Sequence, residues 1–264
     1  MLKKIILLLM VLILCSCGTN KKLISANVQV KFLDDFIISE DLEVGGTKVG
    51  GLSGIDYHDG TYYLVADHPG NPRFYKARIE IRERKIDSVI ISEVIELKRE
   101  SSDFLKLNTL DLESIRFNPK TEEFIFTSEG SIQNGKDPSV FSTTSSGEYI
   151  SHYELPAYFK SSGEQSPRNN GVFEGLAPGY DKTGYWVGME LPLKKDGSKP
   201  KLFPTKSPIR ISFYNKDGEA TKQFVMQLEG ITKIPWLYFA VNGLTELLEY
   251  APGQFLVLER AFSA

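Results

Sequence analysis

The chain has 264 residues, 41% of them hydrophobic and 25% charged, and a formal charge of −3. This ordinary globular balance excludes a disordered chain and a multi-span membrane protein, and the length suffices for one all-β domain with a sizeable core. No basic patch argues for nucleic acid as a partner.

Residues 1–17 read as a targeting segment rather than as part of the fold. Lys3-Lys4 precede an apolar run from Ile5 to Leu14, too short for a comfortable membrane span. The run enters Leu14-Cys15-Ser16-Cys17-Gly18, which resembles a bacterial lipoprotein signal in which Cys17 is lipidated after cleavage; an ordinary secretory leader or N-terminal anchor is the alternative. Loss of Lys3 and Lys4 with the leader would move the charge from −3 to −5. On this reading residues 18–26 are a tether and residues 27–264 an extracytoplasmic domain, periplasmic or at the cell surface, held to a membrane by lipid.

Asn27–Phe32 and Phe36–Ile38 read as short strands. Leu52–Tyr57 and Tyr62–Asp67 then flank Asp59-Gly60, as Leu112–Phe117 and Glu123–Glu129 flank Asn118–Thr121. Val172–Ala177 and Tyr185–Glu190 flank Asp181–Gly184, and Leu244–Leu248 and Phe255–Glu259 flank Pro252-Gly253. Each looks like a hairpin. Two further strand-like runs follow each of the first three: Arg73–Ile79 and Asp87–Ile95, Ser139–Thr144 and Tyr149–Leu155, Ile209–Tyr214 and Thr221–Leu228. No stretch outside the leader sustains a helical period. Taken from Ser53, Glu113, Glu174 and Glu246, the repeat advances by 60, 61 and 72 residues.

Four antiparallel strands per recurring unit describe an all-β β-propeller built from four-stranded blades. About three and a half blades are present, an incomplete ring that further C-terminal sequence, a partner or a second chain would close; truncation is the favoured explanation. Two Greek-key sheets would give similar spacing but would not explain carboxylates recurring in phase. Tyr62, Tyr63, Phe124, Phe126, Tyr185 and Trp186 alternate as blade core.

Glu113 and Glu129 are 16 residues apart and centred on a turn, as are Glu174 and Glu190. A regular hairpin would set each pair side by side at one rim. Adding Asp67, Glu246 and Glu259 makes that rim strongly acidic. Two charges about 4.5 Å apart repel by roughly 4 kcal/mol at an effective dielectric of about 20. A hard cation would relieve this, and oxygen-only ligands point to Ca²⁺ or Mg²⁺ rather than zinc. Alternatively, each glutamate is a latch to a neighbouring blade's backbone or to an arginine such as Arg73, Arg116, Arg168 or Arg260. Ser53 lacks the final glycine of a nucleophile elbow, and His68 on the rim is a candidate acid or base more readily read as a solvated loop residue.

The chain resembles the bacterial phytase-like family, described as esterase-like activity of phytase. The residues that carry the resemblance are Gly50–Ile55, Ala66-Asp67-His68, Asn71–Tyr75, Asp111–Ile115, Ser128-Glu129-Gly130, Asn170–Ala177 and Leu256–Arg260. The Glu-Gly-Leu element is also similar to one in the six-bladed, calcium-dependent β-propeller phytases. The resemblance implies a Ca²⁺-dependent propeller that hydrolyses a phosphate or carboxylic ester of a small molecule. Asp67, Glu113, Glu129, Glu174, Glu190 and Glu259 would be metal ligands. Glu113, Glu174, Arg73 and Arg260 would be catalytic, the arginines neutralising the substrate's phosphate. A surface-anchored binding propeller without catalysis is the competing expectation.

Overall fold

Apolar runs separated by turn residues become strands in the computed structural model, which describes residues 28–202, 205–231 and 240–263. The expected leader, the lipidation site Cys17 and the tether lie outside the described residues. The chain divides into a unit of Met1–Phe32 and one of Leu33–Ala264. In the first, residues 28–32 carry no regular secondary structure.

The second unit begins with the short hairpin β1 (Glu43–Val44) and β2 (Thr47–Lys48). The first sheet follows: β3 (Leu52–His58), β4 (Thr61–Ala66), β5 (Arg73–Arg82) and β6 (Lys85–Glu96). A five-residue helix, α1 (Asp103–Leu107), leads to β7 (Leu112–Asn118), β8 (Glu123–Ser128), β9 (Ser139–Thr143) and β10 (Tyr149–His152). The third sheet is β11 (Phe173–Pro178), β12 (Gly184–Met189), β13 (Pro208–Asn215) and β14 (Ala220–Gln227). The last is β15 (Ala240–Ala251) paired only with β16 (Gln254–Ser263). Each four-stranded sheet is an antiparallel meander in chain order, and the first strands β3, β7, β11 and β15 pack in succession. Three four-stranded blades and a two-stranded fourth are thus arranged as in a propeller whose ring is not closed.

Alternation along the strands accounts for the stacking, because one face of each sheet must be buried against the next. Tyr63, Val65 and Phe74 of the first sheet meet Ile115, Phe124 and Phe126 of the second, with the Phe74 and Phe124 rings 4.5 Å apart. Trp186 sits between Phe213 and Phe255, at 4.9 and 5.1 Å, and joins the third sheet to the fourth.

Two expectations are corrected at the N-terminal end. The runs at 28–32 and 36–38 are not strands: Val30, Phe32 and Ile37 are exposed rather than paired to an edge. Instead Ile38, Leu42 and Val44 pack over Leu64, Tyr75 and Ile91 on the outer face of the first sheet. The helix α1 escapes a periodicity argument because it is little more than one turn. It is held by its N-cap, where the Ser102 hydroxyl accepts the Leu105 amide at 3.1 Å.

Candidate metal and active site

The expected pairing of Glu113 with Glu129 and of Glu174 with Glu190 assumed regular hairpins, and all four first hairpins carry a bulge. Leu112 pairs with Ser128 but Ser114 with Thr127, leaving Glu113 as the extra residue. The same shift leaves Glu174 unpaired between Phe173 and Gly175, Ser53 between Leu52 and Gly54, and Thr245 between Leu244 and Glu246. A bulge bends its strand and re-aims the extra side chain. The repeated bulge therefore presents Ser53, Glu113, Glu174 and Thr245 from successive inner strands. The residue after the one that pairs just before each bulge is Asp67, Glu129, Glu190 or Arg260; the first three follow the ends of β4, β8 and β12, whereas Arg260 lies within β16, paired with Gly243.

The bulge also corrects the fourth repeat by one residue. Thr245, not Glu246, takes the place of Glu113, and Arg260, not Glu259, takes the place of Glu129 and Glu190. Glu246 is a latch instead. Its Oε2 meets Arg116 Nη2 at 2.6 Å and accepts the Ser114 hydroxyl at 2.9 Å, while Oε1 accepts the Leu176 and Leu247 amides. Glu259, expected as a metal ligand, accepts the Glu229 amide at 3.0 Å and the Asn242 side chain at 2.7 Å. It belongs to neither of the carboxylate groups that could hold an ion.

Five carboxylates do converge. Oxygens of Asp67, Asp111 and Glu113 lie within 4.8 Å of one another, as do those of Glu113, Glu129 and Glu174, so Glu113 belongs to both trios. Ca²⁺ binds oxygens at 2.3–2.6 Å, so ligands on opposite sides of one ion stand about 5 Å apart, and the trios fit that limit. Glu190 adjoins them, its charge acting on Glu174. The buried members Glu113, Glu129, Glu174 and Glu190 are 8%, 3%, 8% and 6% exposed, far drier than unpaired carboxylates normally are.

Local bonds fix this set. Glu129 Oε1 accepts the Val172 amide at 2.6 Å. The backbone of Glu190 bonds to Val172 and Leu244, and Gly243 makes room for its side chain: a Cβ there would stand 2.5 Å from Glu190 Cγ. Among the described residues Glu190 Oε2 is buried with no hydrogen-bond partner.

Electrostatics report the same crowding. Burial first, then the charges of Glu174, Glu129, Asp67 and Asp111, hold the Glu113 carboxyl far above its ordinary range. Glu174 is raised by burial and then by Glu190 and Glu129, against a smaller opposite pull from Arg260. Burial and Glu129 push Glu190 up to about 7, offset in part by Arg260 and Lys199. Glu129 is raised by burial despite its backbone amides, and Asp111 by burial and then by its hydrogen bond with Asp67. Protonation or a cation relieves such a cluster. With oxygen donors only and a partnerless buried oxygen beside them, these residues fit a hard divalent cation.

Asp111 is the member that sequence reasoning missed. It stands opposite Glu129, whose amide bonds the Asp111 carbonyl at 2.9 Å. The equivalent positions are Gly51, Val172 and Gly243, so no repeat pattern marks it; its adjacency to Glu113 was the available signal.

The expected arginines separate. Arg260 is exposed and close enough to act on Glu174 and Glu190. Arg73 is buried, its guanidinium donating to Tyr75 Oη at 2.6 Å and to the Asn71 and Lys48 carbonyls at 2.9 and 3.0 Å. It ties β2 to the first sheet and lines an open cleft with Asp67 and His68. The Ser53 hydroxyl donates to the Leu112 carbonyl at 2.9 Å, and His68 Nδ1 accepts the Asn71 amide at 3.1 Å.

No curated protein matches the chain significantly. Among solved structures it is similar to a Dos1 propeller, at 9% identity and TM-score 0.35, with 72% of this chain covered and 40% of that one. A second is the Kuenenia stuttgartiensis hydrazine synthase, at 12% identity and TM-score 0.36, covering 84% and 66%. The chain thus spans less than two thirds of either. The phytase-like family, described as esterase-like activity of phytase, matches residues 47–264, and the chain belongs to that family.

Proposed function

We propose that this protein is a metal-assisted hydrolase of phosphate or carboxylic esters of small molecules, with Ca²⁺ as its cation. The observation that carries the reading is the buried convergence of Asp67, Asp111, Glu113, Glu129 and Glu174, with the partnerless Glu190 Oε2 beside it. Family membership suggests hydrolase activity, and the site supplies a place for it.

Asp67, Asp111, Glu113, Glu129 and Glu174 would hold the cation. Bound there, it would polarise an ester oxygen and acidify a water. Glu190 Oε2, which has no hydrogen-bond partner among the described residues, would accept a hydrogen bond from a water held there. Arg260, exposed beside Glu174 and Glu190, is placed to pair with an anionic substrate, whereas Arg73 has committed three of its donors to the fold and shapes the adjoining cleft.

The test is hydrolysis of 4-nitrophenyl phosphate and 4-nitrophenyl acetate by the purified chain, with calcium or with EGTA. Calcium-dependent turnover that falls at least 100-fold in Glu113→Gln is expected. Stoichiometric calcium binding without turnover on either ester would replace the enzyme with a binding propeller. The same reading places the domain outside the cytoplasm on a lipid attached at Cys17. Cys17→Ser should then shift the protein from the membrane fraction to the soluble one; unchanged fractionation refutes the anchor.

A further inference from the structure

The inner strands have two ends, and only one carries the carboxylate cluster. At the other, about 20 Å away along strands of six or seven residues, the ends of β3, β7 and β11 enclose a pocket of about 290 Å³. Its size is near the lower end of ordinary small-molecule sites. Its apolar wall includes Phe117 and Tyr185, and its charged lining includes Lys120, Lys182 and Lys216.

Three features of this pocket call for a ligand. First, among the described residues none of the three lysines forms an ion pair, although acidic residues outnumber basic ones 34 to 31. Of the other charges in the lining, Arg116 is bonded to Glu246, and Asp56, whose Oδ2 accepts the Phe117 amide at 2.7 Å, forms no ion pair among the described residues, so three exposed ammonium groups stand against one carboxylate. Second, the lysines come from separate turns of the second and third sheets, so folding alone brings them together. Third, the half-buried Tyr185 hydroxyl makes no hydrogen bond among the described residues. A phenol keeps its proton at neutral pH and can donate to an anion's oxygen.

We propose that this pocket binds a small organic anion with an aromatic body. Its ring lies against Phe117 and Tyr185, and its anionic head lies toward Lys120, Lys182 and Lys216. Aromatic contact supplies area and the unpaired ammonium groups supply sign selection. The site is separate from the carboxylate cluster and does not rest on ester hydrolysis.

The test is calorimetric titration of the purified full chain with naphthalene-2-sulfonate, with 2-naphthol and sodium sulfate as comparators. One site per chain is expected, with 2-naphthol at least 10-fold weaker and sulfate failing to compete. Lys182→Gln/Lys216→Gln should weaken naphthalene-2-sulfonate at least 10-fold. Tyr185→Phe, which keeps the ring and removes only the donor, should weaken it about 3-fold. EGTA should change nothing. The proposal is overturned if naphthalene-2-sulfonate shows no binding at millimolar concentration, if the double-lysine variant binds like the parent chain, or if sulfate competes equally.

Discussion

Without a divalent cation, this protein should lose stability as the pH rises from about 5 to 8, the reverse of the usual behaviour of carboxylates. An acid whose pKa is higher folded than unfolded holds more protons in the native state between the two values. Its stabilising contribution is therefore complete below the unfolded value and is lost as pH rises through the folded one. Glu190 moves from 4.5 to about 7. At 1.36 kcal/mol per pH unit, this side chain alone removes about 3 kcal/mol across that window. Asp111, Glu113, Glu129 and Glu174 shift in the same direction. For a domain of this size 3 kcal/mol corresponds to about 6–12 °C in Tm. Thermal unfolding followed by circular dichroism at pH 5.5, 7.0 and 8.5 in EGTA should show at least that decline. Calcium at 100 times its dissociation constant should restore about 2.7 kcal/mol at pH 8.5 and much less at pH 5.5, where protons compete for the ligands. A Tm in EGTA that is flat between pH 5.5 and 8.5, or a calcium increment that does not grow with pH, would refute the carboxylate reasoning.

The distinction between ligands and latches predicts separate outcomes. Glu113→Gln should weaken calcium binding at least 10-fold by calorimetry, while Glu259→Gln, which alters an acceptor of the Glu229 amide and the Asn242 side chain, should leave calcium affinity unchanged and lower stability by about 1–3 kcal/mol. Glu246→Ala leaves the buried Arg116 without its partner and should cost about 3 kcal/mol in urea unfolding; Arg116→Leu/Glu246→Leu should recover at least half of that, and no recovery would deny the pair its latch role. Gly243→Ala places a methyl against the Glu190 side chain and should destabilise by about 1–3 kcal/mol; an unchanged Tm would mean that Glu190 moves freely.

Much of this architecture was legible because its signals are local. The turns at Asp59-Gly60 and Pro252-Gly253 and the alternation of Phe124 and Phe126 suffice to place hairpins and a buried face. The repeat of Glu113 and Glu129 by Glu174 and Glu190 was enough to bring carboxylates to one end of the inner strands. The bulge was not legible: one extra residue leaves composition and spacing unchanged, yet it decides which neighbour a side chain meets. That single offset set Glu246 and Glu259 in the places that Thr245 and Arg260 occupy, while Asp111 was hidden because no other repeat has a carboxylate at its position. The cover that Ile38, Leu42 and Val44 make over the first sheet was hidden differently, because an apolar run at 36–38 suggests a strand whether or not an edge is there to pair with it.

The fourth hairpin shows how one scaffold position can carry opposite chemistry. In the second and third repeats the bulge residue and the residue across from it on the second-strand side are both glutamates; in the fourth they are Thr245 and Arg260. A third pair of buried carboxylates would add charges to a cluster in which burial and repulsion already raise Glu113 and Glu174 well above the ordinary carboxylate range. Arg260 instead pulls Glu174 and Glu190 back toward ionisation, the state in which a carboxylate binds a cation. Because it is exposed while the glutamates are buried, it can do this from the rim without occupying the space between their oxygens. The fourth repeat therefore departs from the second and third in the direction that favours ionised glutamates, with positive charge at the edge of the cluster and carboxylate oxygens at its centre.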